Sequence, residues 1–157
     1  MAEKHVQIVR DKLQAYADRG VFQSFEAGET KGGKTEFQFV WLEETPFTFV
    51  VEHNRGTLSL KNLLPHVESR SFIDNDLRSY IADRSGTGLV AHRRVDPKRA
   101  ELKYVNRGGT ISLTMTVKRN QYSYGVTKLL NVVNELFGHL HMNHVQYLVD
   151  HFALSEE

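Results

Sequence analysis

The chain has 157 residues, no cysteine, and 20 Lys and Arg against 19 Asp and Glu, a formal charge of +1. That length suffices for one domain burying roughly two thirds of its unfolded surface, and the missing thiols exclude disulfides, thiolate zinc sites, iron–sulfur clusters and cysteine nucleophiles. The near-balance of charge removes any global field for nucleic acid or acidic membranes, so an electrostatic function has to be local.

The segment from Met1 to Asp18 is charged and helix-patterned, and no apolar run approaches a bilayer span, so the sequence predicts a cytoplasmic protein with no membrane association. Val6, Val9, Leu13 and Tyr16 repeat at helical spacing and Gly20 supplies a stop, which predicts a helix over residues 3–19. Strands are expected at residues 21–27, 35–42 and 47–53, separated by Lys31-Gly32-Gly33-Lys34 and Glu43-Glu44-Thr45-Pro46. Phe37, Phe39 and Trp41 share one face of the second strand, and Phe47, Phe49 and Val51 one face of the third, so helices must cover this aromatic surface.

After a turn at Asn54-Arg55-Gly56, Leu58, Leu60, Leu63 and Leu64 shift from period two toward helical spacing, and Pro65 ends the segment. Ser71 followed by Asp74 resembles a capping box, and Ile73, Leu77, Tyr80 and Ile81 form the apolar stripe of a helix that stops near Gly86. A second run of strands is expected at residues 89–95, 100–105 and 110–118, with turns at Asp96-Pro97-Lys98 and Asn106-Arg107-Gly108-Gly109. Ile111, Leu113, Met115 and Val117 alternate with Thr110, Ser112, Thr114 and Thr116, so one face of that last strand is buried and the other meets water or a partner.

Ser123 is the expected cap of the longest helix, whose face carries Val126, Leu129, Leu130, Val133, Leu136, Phe137 and Leu140 and which Gly138 ends or bends. A short helix follows from Asn143. The order is therefore α-β-β-β-α-β-β-β-α-α over residues 1–157, a single α+β domain with an antiparallel sheet and helices packed on it.

That order, with the strand Thr110 to Val117 followed by the helical stretch Tyr122 to Phe137, resembles the fold of the YbjN-like proteins and the type III secretion chaperones. The same stretch, taken with His92 to Arg99, is also similar to uncharacterised bacterial proteins. The resemblance implies a non-enzymatic, chaperone-like module that forms a homodimer and binds a polypeptide or regulates a partner, and it transfers no catalytic residue.

Three groups of residues are candidates for function. Arg93, Arg94, Lys98, Arg99 and Arg107 lie in the one strongly basic stretch, residues 92–119, and point to a partner-binding surface, with nucleic acid as an alternative partner. Val145, Leu148, Val149 and Phe152 form an apolar set available either for a dimer contact or for a second layer of intrachain core. His139, His141, His144 and His151 are ligand-type side chains; on a continuous helix His141 and His144 share a face, as do His144 and His151, which makes these three the metal candidates, although no zinc motif is present. No phosphate loop and no facing carboxylate pair appears, so neither a cofactor nor catalysis is expected, a small enzyme with an unidentified site remaining the other alternative.

Overall fold

A computed structural model describes residues 2–42, 44–86, 88–90 and 93–152. In it α1 (Ala2–Asp18) precedes the strands β1 (Ser24–Lys31), β2 (Lys34–Trp41) and β3 (Thr45–Glu52), a 3-10 turn (His53–Arg55) and β4 (Thr57–Leu64). There follow α2 (Phe72–Asp83), β5 (Ala100–Arg107), β6 (Thr110–Val117), α3 (Tyr122–Asn143) and α4 (Val145–His151). The six strands form one antiparallel sheet in the order β1-β2-β3-β4-β6-β5. None of the helices, among the described residues, is long and apolar enough to cross a membrane.

Turn chemistry sets the register. Gly32 and Gly33 (φ 58° and 80°) close β1 onto β2, and Gly108 and Gly109 (φ 59° and 91°) close β5 onto β6, each a two-residue loop with positive φ at both positions. Such loops match the right-handed twist of the strands they join, and glycine adopts the conformation without steric cost. The register aligns Ala27, Phe37, Phe49, Leu60, Leu113 and Tyr104 in one row across all six strands, with Val51, Leu58 and Met115 in the next. Helices cover this face alone. Arg10 of α1 lies over the Phe37 ring, Phe137 of α3 meets Phe47 edge-on, and Asp74 of α2 accepts from the Tyr104 hydroxyl. The side chain of Ser71 caps α2 by accepting from the Asp74 amide, as the sequence suggests.

Three expectations are corrected. Residues 58–64 are strand, not helix-like: a bulge between Leu60 and Leu64, with Asn62 at φ 53°, puts Leu58, Leu60 and Leu64 against the same β6 face. The inserted residues stretch an alternating pattern into one that mimics helical spacing. The strand expected at residues 89–95 does not form in its described part; Val95 is buried and its amide donates to the Arg84 carbonyl, which ties the segment to the end of α2 instead of to a strand. Ala91 and His92 lie outside the described residues. The sheet therefore takes four strands before α2 and two after it. The long helix begins at Tyr122 with Gln121 as its N-terminal boundary, so Ser123 is inside it, and the helix runs unbroken through Gly138.

Two glycines of α3 separate close packing from propensity. A Cβ at Gly125 would stand 2.5 Å from Val117 Cγ1 and 2.8 Å from Leu58 Cδ1, whereas one at Gly138 would meet nothing within 4 Å. Gly125→Ala gains about 1 kcal/mol of helix propensity but overpacks a stiff β-branched neighbour by about 1–3 kcal/mol, so it destabilises. Gly138→Ala has only the gain of about 1 kcal/mol. Urea unfolding of the two variants will give midpoints displaced in opposite directions.

Candidate functional site

The face of the sheet away from the helices is open. One outward row runs Glu36, Val50, Ser59, Thr114, Lys103, and its neighbour runs Lys34, Glu52, Thr57, Thr116, Glu101. Hydroxyls line the middle: Ser59 Oγ and Thr114 Oγ1 are 3.1 Å apart, and Ser112 Oγ accepts from the Asn62 amide at the bulge. β-branched and hydroxylated residues suit a pleated surface in water, which explains why the threonines of β6 stay on this side. Between β4, β6 and β5 the surface forms a depression of about 310 Å³. Its lining includes Ser59, Ser112 and Thr114 with Arg55, Lys61, Lys103 and Arg107.

The charges of this depression are unequal. Glu52 holds Lys34 at 3.7 Å and Arg55 at 3.5 Å. Lys61, Lys103 and Arg107 are exposed and, among the described residues, pair with no carboxylate. The one other acid on this half, Glu101, faces Lys118 at 3.6 Å. The open side of β4, β6 and β5 is thus a concave, hydroxyl-rich, positively charged surface.

Of the basic residues singled out by sequence, only Arg107 lies there. Arg93 donates to Glu135 on α3, which also binds Arg84 at 2.6 Å, and the Arg84 guanidinium stacks on the Tyr80 ring. Arg99 donates to Gln121 and lies 3.8 Å over the Tyr124 ring. Arg94 is half-buried, and Lys98 is exposed in a turn anchored by Asp96. Arg99 and Arg107 bracket β5 and stand roughly 25 Å apart at the rise of an extended strand, so the basic stretch does not make one patch. Lys61 was missed because it belongs to a strand far outside that stretch, and its only sequence signal is its place in an alternating run now known to contain a bulge.

The histidines also regroup. His139 Nε2 and His144 Nε2 lie 2.7 and 2.5 Å from Asp76 Oδ2 on α2. The hydrogen bond to His144, opposed by burial and reinforced by His139, holds the Asp76 carboxyl below its ordinary range. His141 is exposed, and His151 stacks against His66 instead. Two residues earlier, buried Asp74 accepts from Tyr104, Asn106 and the Arg70 amide. Burial alone would raise the Asp74 carboxyl, but these bonds and the Arg78 charge outweigh it and keep it low. The Tyr104 hydroxyl is pushed up by burial and by Asp74. This second network joins α2 to β5 and is structural.

Of the apolar C-terminal set, Leu148 is fully buried in the intrachain core and so is closed to a dimer contact. Val149 and Phe152 are half-buried, with Phe152 packed edge-on to Phe137, and Val145 alone is exposed.

If Arg93 serves the fold through Glu135, removing the acid matters more than removing the base. Glu135→Ala leaves Arg84, whose side chain is 8% exposed, without its carboxylate, at a cost of about 3 kcal/mol. Arg93→Ala will leave the urea midpoint nearly unchanged, since its side chain is 49% exposed. Compared with protein-family models, with curated proteins and with solved structures, the chain matches none of them.

Proposed function

We propose that this chain is a non-enzymatic binding module that holds an acidic stretch of a partner polypeptide on the open face of its sheet. The observation that carries the reading is the trio Lys61, Lys103 and Arg107, unpaired around a depression floored by Ser59, Ser112 and Thr114. Unpaired cations steer and hold carboxylates, and a row of hydroxyls can donate to a peptide's backbone or side-chain oxygens.

Nucleic acid is the weaker reading. Sheet surfaces that bind single strands stack bases on aromatic rings, and the outward strand positions here carry none among the described residues. Dimerisation through α4 is left out of the reading because Leu148 is inside the core.

The test is fluorescence anisotropy with a labelled glutamate-rich peptide at low salt. The triple variant Lys61→Glu, Lys103→Glu, Arg107→Glu changes exposed positions only, so its unfolding midpoint should stay close to wild type. It should bind about tenfold more weakly or worse, and wild-type binding should decline as salt rises. Equal binding by both proteins, or preference for an oligouridylate competitor over the peptide, would overturn the proposal.

A further inference from the structure

Asp76, His139 and His144 converge from three segments of the chain. Asp76 sits one turn inside α2, His139 in the penultimate turn of α3, and His144 at the junction of α3 and α4. Their ligand-type atoms, His139 Nε2, His144 Nε2 and Asp76 Oδ2, all lie within 4.8 Å of one another. The His139 and His144 side chains are 17% and 9% exposed and that of Asp76 is 34% exposed, so the cluster is sheltered yet reachable from solvent.

We infer that these three side chains form a site for a divalent first-row transition cation of the zinc class. Two imidazoles and one carboxylate suit such an ion, and three protein ligands leave a fourth position for water. Tetrahedral ligands around zinc stand roughly 3.3 Å apart, whereas Asp76 Oδ2 is now 2.7 and 2.5 Å from the two nitrogens. Lengthening the two Asp76 contacts by less than about 1 Å brings them to that spacing. Asp76 has no Lys or Arg partner among the described residues, so no cation already neutralises it.

The surroundings hold the ligands in place. Leu77 beside Asp76, Leu140 beside His139 and Leu148 after His144 are fully buried, which fixes the backbone at all three positions. The His139 ring stacks on Tyr80 at 4.2 Å, and the His144 ring lies 6.1 Å from that of Phe72. The Asn143 amide nitrogen stands 3.2 Å from His139 Nδ1. A metal on Nε2 requires the proton on Nδ1, so the Asn143 amide nitrogen, which also donates to the His139 carbonyl at 3.2 Å, would have to move off Nδ1 when the ion binds. A bound ion would tie α2 to the α3–α4 junction.

Equilibrium dialysis and calorimetry of the metal-free chain with Zn2+, and absorption spectroscopy with Co2+, test the site. The expected result is one ion per chain, visible cobalt bands of a four-coordinate complex, and a higher unfolding temperature with Zn2+ that a chelator reverses. His139→Ala and Asp76→Asn should each weaken binding by about a hundredfold, while His141→Ala and His151→Ala leave it unchanged. Asp76→Asn keeps shape and hydrogen bonding, so it reads the site even where an alanine variant fails to fold. Absence of binding at 100-micromolar Zn2+, roughly the weak limit of a useful site, would overturn the inference and leave the cluster a hydrogen-bonded clamp between helices. Binding that survives both His139→Ala and Asp76→Asn would overturn it as well.

Discussion

The row Ala27, Phe37, Phe49, Leu60, Leu113 and Tyr104 crosses all six strands, and the rest of the architecture follows from the need to cover it. Aromatic and branched side chains of this size exclude water only if helices lie close above them. α3 comes close because Gly125 lets its backbone approach Val117 and Leu58. Both hairpins and the bulge in β4 serve the same alignment, since a one-residue slip would carry the row to the wrong side. Once α1, α2 and α3 have closed on one face, nothing in the described chain remains to close on the other.

That asymmetry gives the open face its character. The outward positions of β4, β6 and β5 are Ser, Thr, Lys and Arg with Val105 and Glu101, and Glu101 and the neighbouring Glu52 of β3 already have basic partners, which leaves this half positive. The helical side uses its charges differently. There Glu135 gathers Arg84 and Arg93, and Asp74 gathers three donors from β5 and the loop before α2. Arginines that look like one basic segment in the sequence therefore divide: Arg93 pairs with Glu135, Arg99 with Gln121 and the Tyr124 ring, and Arg107 lies at the candidate surface.

What the sequence made legible is what short-range chemistry specifies. Gly-Gly at both hairpins, the Ser71 cap and the strict alternation of β6 each express their structure within a few residues. β4 was unreadable because its bulge breaks the period that identifies a strand, and Val95 because its tie to Arg84 is a tertiary bond. The histidine grouping failed for geometric reasons. His139 and His144 are five residues apart, about 140° around a continuous helix, and they converge only because the helix ends at Asn143 with His144 at φ −140°. Asp76 is 63 and 68 residues from them, a separation at which spacing carries no information.

The central question is whether a partner sits on the open face. Amide chemical-shift mapping of the isotope-labelled chain during titration with a glutamate-rich peptide addresses this directly. Shifts should concentrate at Ser59, Lys61, Lys103, Ser112 and Thr114, with the amides of α1 and α3 unmoved. Shifts confined to the helical side, or to the turn carrying Arg93, Lys98 and Arg99, would contradict that placement.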